Sequence, residues 1–207
     1  MFINLSFYIN LFGGNMEEEI IFENTAEEPV EKQAKPKHSL KEELLDWAKT
    51  LLLYCALPLI IFQSFCFIAS VPTGSMESTI PVGAQVFTTR TFNKDNIERG
   101  DIVVFDSAEL EVVLIKRCIG LPGDKIVFDG SGRIYINGNR YFEDYVSSYS
   151  DFEGEFTVPE DHYFFVGDNR GGSLDARYWE EPYIHKDCVK GKARFIIFPF
   201  SSFGILE

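Results

Sequence analysis

The chain has 207 residues, 45% apolar and 25% charged, which is enough for one ordinary folded core plus an appendage. Nineteen basic against 32 acidic residues give a net charge of −13, which argues against a nucleic-acid binder, since such a protein needs a basic face. Four cysteines do not make a disulfide scaffold, and no Cys/His grouping has zinc-ligand spacing, so neither a metal nor a cofactor is expected.

Residues 1–49 read as a solvated, largely disordered tail. Met1–Leu11 is apolar, Glu17–Gln33 is acidic, and Ala34–Ser39 carries Pro36 and two lysines. The composition changes abruptly at Met16, just after Gly13-Gly14-Asn15, whose codons can spell a ribosome-binding site. Two readings stay open: Met16 as the initiator, or a genuine N-terminal extension.

From Thr50 to Met76 there is no charged residue. Leu51–Val71 is almost wholly apolar, and as a helix it would cover about 30 Å, the thickness of a bilayer's hydrocarbon core. The expected transmembrane helix is therefore 50–71. Pro58 would kink it without forbidding it, and Trp47 and Tyr54 suit the interface. The run is longer than a secretory core and starts too late for a cleavable leader, so it is read as an anchor. Lys32, Lys35, Lys37, Lys41 and Lys49 precede it, and no basic residue follows until Arg90, which places the N-terminus in the cytoplasm and 72–207 outside the cell membrane. That outer region holds 14 basic against 22 acidic residues, so no general basic field binds it to lipid. Most of its many phenylalanines are expected in the core, with a hydrophobic membrane-facing surface as the alternative.

Residues 72–207 read as a mainly β, sheet-built, barrel-like domain. Short Val/Ile/Phe-rich runs predict strands at Gln85–Thr89, Asp101–Asp106, Val112–Ile119, Lys125–Asp129, Arg133–Ile136, Tyr163–Gly167 and Val189–Pro199. Asp129-Gly130-Ser131-Gly132 and Asn137-Gly138 supply hairpin chemistry. Leu174–Trp179 is long enough for a short turn of helix.

Three clusters can carry chemistry. The first is Pro72-Thr73-Gly74-Ser75-Met76, where Ser75 is either a turn cap or a nucleophile. The second is Val112–Gly120. Strand alternation sets Lys116 beside Leu114 and Cys118, with Arg117 on the other face beside Ile115 and Ile119. Desolvation there would lower the amine's pKa and make Lys116 a general base; the plainer reading is a snorkelling or edge-strand lysine. The third is the glycine-rich loop Val166–Arg177, with two carboxylates, two guanidiniums and Ser173, which either forms a turn or orients a catalytic side chain. A histidine triad is hard to build, because His38 lies before the span, His162 begins a strand and His185 lies in a connector, both most simply surface or turn residues. A serine with a lysine base remains.

These blocks, with Arg99-Gly100-Asp101-Ile102-Val103-Val104-Phe105 between the first two and Gly120-Leu121-Pro122-Gly123-Asp124 extending the second, resemble the bacterial type I signal peptidases of the Ser–Lys class. The blocks occur in the family's order behind one anchor, as in its compact single-span form. The resemblance implies an endopeptidase that removes signal peptides from exported preproteins at Ala-x-Ala-type sites, without a cofactor, at the bilayer and in functional link with the secretion translocon. It implies Ser75 as nucleophile and Lys116 as base, with the Ser75 N–H and Thr73 hydroxyl as oxyanion donors. Ser173 would hold Lys116, and Asp175 and Arg177 would brace the loop. Val71, Pro72, Ile80, Leu114 and Ile115 would line the pockets for small side chains.

Ser78, Cys118 and Ala176 depart from the family's usual proline, aliphatic and serine residues. A Cys118–Cys188 disulfide stays open, with buried free thiols as the alternative. Other readings are a peptidase dedicated to one cargo, and a non-catalytic membrane-anchored β domain that only binds signal peptides. The self-cleaving repressor proteases are soluble and DNA-bound, and the ER-type signal peptidases use histidine where Lys116 stands; neither fits.

Overall fold

The computed structural model describes residues 39–77 and 79–206. The tail before Ser39, the start-site question and Ser78 lie outside them. Contacts divide the chain between Glu43 and Leu44.

The first helix starts at a reciprocal cap. The Ser39 N–H donates to Glu42 Oε2 at 2.9 Å, and the Glu42 N–H donates to Ser39 Oγ at 3.3 Å. Helix α1 (Leu40–Leu51) passes into a π-helical turn, Leu52–Ala56, and then into α2 (Leu57–Phe65). Pro58 sits at the start of α2, where its missing N–H and its ring disturb the α pattern one turn back, and the wider π turn lies there. The helical stretch Leu40–Phe65, 26 residues with its charges confined to the first ten, is long and apolar enough to cross a membrane, and none of its most apolar 18-residue window is buried.

The helix begins at Leu40, inside the expected tail, and ends at Phe65 instead of Val71. Cys66–Val71 forms strand β1, paired antiparallel with β2 (Ala84–Arg90) from Cys66 opposite Thr89 to Val71 opposite Ala84. Hydropathy alone cannot separate an apolar helix from an apolar strand that follows it directly. Phe67, Ile68 and Val71 supply the β-forming residues, and β2 supplies the partner.

Ten more strands follow: β3 (Ile102–Ser107), β4 (Val112–Gly120), β5 (Lys125–Asp129), β6 (Ile134–Ile136), β7 (Asn139–Tyr141), β8 (Glu153–Thr157), β9 (His162–Val166), β10 (Tyr183–His185), β11 (Val189–Phe198) and β12 (Gly204–Ile205). The large sheet runs β1-β2-β11-β3-β4-β9-β10, with β12 on β11; the small one runs β7-β6-β5-β8. The seven predicted strands are all present. The predicted turn of helix at Leu174–Trp179 is irregular loop instead, held by the ion pair described below. Besides β1, the strands that escaped prediction are short (β7, β10, β12) or, in β8, mostly charged and polar. Asn137 and Gly138 both have positive φ (52° and 82°), the tight turn that joins β6 to β7.

Two cores form. One joins both sheets through Phe105, Phe128, Phe164 and Phe165, with Phe105 and Phe165 stacked at 4.3 Å. The other packs Val71, Met76, Ile80, Val86, Val104 and Ile115 together. Cys118 and Cys188 are free thiols; Cys118 is wholly buried, which pushes its thiol pKa up.

Candidate active site

Two of the strand edges that pairing leaves unfilled matter here. β1 is the outermost strand of its sheet, and β9 pairs with β4 only from Arg117 onward. Between β1 and the first half of β4 lies a cleft of about 390 Å³. Pro72, Thr73, Ser75, Leu114, Ile115 and Lys116 line it.

Ser75 sits in a single 3₁₀ turn, Gly74–Met76, directly after β1. Its hydroxyl lies 3.3 Å from that of Thr73. Lys116 is 3% exposed, and its Nζ donates to Ser173 Oγ at 3.3 Å. Burial lowers the amine's pKa from 10.5 to about 8; Asp175 opposes that shift and Arg177 adds to it. In the folded state the proton therefore leaves earlier than in the unfolded chain. Below pH 8 the charged amine costs the fold about 3 kcal/mol, and that penalty is relieved as pH rises from 8 towards 10.5. Among the described residues no hydrogen bond joins Ser75 to Lys116; both groups face the same cleft.

The loop Gly167–Arg177 holds the two groups in register. The Asn169 N–H donates to the Ser75 carbonyl at 3.1 Å, and Asn169 Nδ2 to the Gly74 carbonyl at 3.0 Å. Asp175, buried, accepts from the Gly167 N–H at 2.9 Å and from Arg177 Nε at 2.8 Å and Nη2 at 2.9 Å. Such a pair repays its desolvation only when every oxygen is satisfied, and here both are. A side chain on Gly167 would strike Ser173 Oγ and come within 2.5 Å of the Ser75 carbonyl oxygen. The loop can approach only because that position is glycine. Gly167→Ala is expected to lower kcat by about 100-fold, the order of loss from a misplacement near 1 Å, with a smaller change in KM. Steady-state kinetics beside a thermal melt will check it.

Some supports were not legible in advance. Arg117 makes a two-pronged pair with Asp168 (2.9 and 2.8 Å) and lies 3.8 Å from the centre of the Tyr145 ring. Arg170 pairs with Glu143 (2.6 and 2.5 Å) and donates to the Gly167 carbonyl at 3.0 Å. Glu143 lies in a stretch with no motif, 27 residues before Arg170, and nothing local marks it. Of the residues expected to line pockets, Pro72, Leu114 and Ile115 face the cleft. Val71 and Ile80 instead lie in the second core, packed in one cluster with Ile115. Among the described residues no group of three or more acidic, His or Cys side chains could hold a metal.

The family model for signal peptidase, peptidase S26, matches residues 44–198. The chain is similar to signal peptidase I P of Bacillus subtilis subsp. natto, 34% identical over 175 residues, 78% of this chain and 92% of that protein. It is 34% identical to signal peptidase I of Bacillus amyloliquefaciens, covering 82% and 96%. It is 30% identical to the probable signal peptidase I-2 of Synechocystis, covering 89% and 85%. The crystal structure of a signal peptidase I from Enterococcus faecalis, 33% identical, covers 47% of this chain and 96% of its own, with a TM-score of 0.40.

Proposed function

The chain belongs to the signal peptidase family, peptidase S26, and from that premise we propose that it cuts by a Ser75 nucleophile and a Lys116 base. It is a serine-type peptidase that removes signal peptides from exported preproteins. The observation that carries the assignment of residues is Lys116, buried, lowered in pKa and in one cleft with Ser75.

The preprotein enters as an extended segment between the free edges of β1 and β4, by strand addition. Pro72, Leu114 and Ile115 shape pockets that admit only small side chains, and Val71 and Ile80 support them from below. Neutral Lys116 takes the Ser75 proton as Oγ attacks the scissile carbonyl. The Ser75 N–H and the Thr73 hydroxyl donate to the oxyanion. The Lys116 ammonium then gives its proton to the leaving amine. A water, deprotonated by the amine, hydrolyses the acyl-enzyme. Ser173 aims the amine throughout, and the Asp175–Arg177 pair holds Ser173's loop.

The helix Leu40–Phe65 crosses the bilayer with its lysine-flanked N-terminal side in the cytoplasm. Ser75 lies ten residues beyond Phe65, so the site stands close to the outer leaflet, where a membrane-held substrate emerging from the translocon presents its cleavage site.

The pH–rate profile tests the base. Only the unprotonated amine accepts a proton, so kcat/KM is expected to rise tenfold per pH unit below about 7 and to level off above about 8. A flat profile between pH 5 and 9, on a substrate without titrating groups, rules out a lysine base.

A further inference from the structure

The cleft continues past the catalytic pair. β1 runs back from Val71 to Phe67, and β4 back from Lys116 to Val113. Two cations line this distal end: Arg90, the last residue of β2, and Lys190, on β11. They are neighbours across the sheet. Arg90 is paired with Gly191, and the Thr91 N–H donates to the Lys190 carbonyl at 3.2 Å.

Arg90 already serves one helix end. Its Nε donates to the Gln63 carbonyl at 3.3 Å, and its guanidinium lies 5.0 Å from the Phe67 ring centre. Gln63 is in the last turn of α2, where carbonyls lack partners within the helix. Lys190 Nζ is 3.1 Å from Asp106, in a half-exposed pair that holds the amine only weakly. Ile68 and Val113, both 55% exposed, add apolar surface at the same end.

The substrate has a matching end. A signal peptide carries an apolar core of about 7–15 residues before its small-residue cleavage site. In lipid that core is helical, because backbone groups must be satisfied internally. The helix has to stop before the cut, since the cleft takes extended chain. Its last carbonyls are then unpaired and carry about half a negative charge. Val71 to Phe67 covers about 13 Å of strand, so roughly four to six residues separate the scissile bond from the cations.

We propose that Arg90 and Lys190 form a cationic subsite that takes the carbonyl end of the signal peptide's apolar helix, and so set the spacing between helix end and cut. The subsite rests on the proposed function, because it presumes that the substrate lies along β1 with its scissile bond at Ser75.

The full chain in detergent, given one preprotein with Glu, Gln or Lys at the sixth residue before the cut, provides the test. Wild type is expected to rank Glu above Gln above Lys, with about a tenfold spread in kcat/KM carried by KM. Lys190→Glu is expected to invert that order, and Arg90→Gln to flatten it. A lost ion pair or a general loss of stability scales all three substrates together and inverts nothing. The same ranking in wild type and Lys190→Glu overturns the subsite while leaving the peptidase intact. Wild type leaving all three uncut overturns both.

Discussion

Lys116→Ala and Ser75→Ala are each expected to lower preprotein cleavage by about 10⁵-fold, with the double variant no worse than either single one. In the proposed mechanism the two side chains act on one proton, so losing either removes the same step. Both variants should stay folded. Ser75 is buried in a 3₁₀ turn whose backbone contacts, from Asn169 to the carbonyls of Gly74 and Ser75, do not use its hydroxyl, and alanine fits the same space. Lys116 is a burden on the fold below pH 8, so Lys116→Met, which keeps the stem and removes the amine, is expected to raise the melting temperature while remaining inactive. Single-turnover cleavage of a preprotein, beside thermal denaturation at pH 7, reads both effects. Cleavage at a tenth of the wild-type rate in either alanine variant would falsify the dyad.

Thr73→Val is expected to lower kcat by 10²- to 10³-fold on the scale of a lost oxyanion donor, with KM within about twofold of wild type. Thr73 is exposed, and valine keeps its branched shape, so no core contact is lost. Its hydroxyl lies 3.3 Å from Ser75 Oγ, which fits the proposed role of a donor that stands beside the nucleophile and turns to the oxygen once charge develops there. Thr73→Ser keeps a hydroxyl in place and is expected to recover most of the rate. A Thr73→Val enzyme with unchanged kcat leaves the Ser75 N–H as the sole donor of this pair.

Much of this protein is written in local sequence. Charge-free residues from Thr50 to Met76 announce a membrane segment, and short β-branched and aromatic runs between Gly- and Asn-rich turns announce sheets. Ser75, Lys116 and Ser173 stand out through motifs and their order along the chain. The signals for helix, strand and turn are local because each depends on a residue's immediate neighbours: hydropathy, alternation, turn chemistry.

What the tertiary structure decided is where the apolar run changes from helix to strand, because only pairing with β2 makes Cys66–Val71 extended. It also decided how deeply Lys116 is buried, since both faces of β4 are covered there and a single strand's alternation cannot report that. Val71 and Ile80 went to the core beneath the cleft instead of its wall, and Glu143 joined Arg170 across 27 residues. Desolvation and charge pairing arise from groups that meet only when distant segments close on each other, so the lowered pKa of Lys116 is a property of the assembled fold.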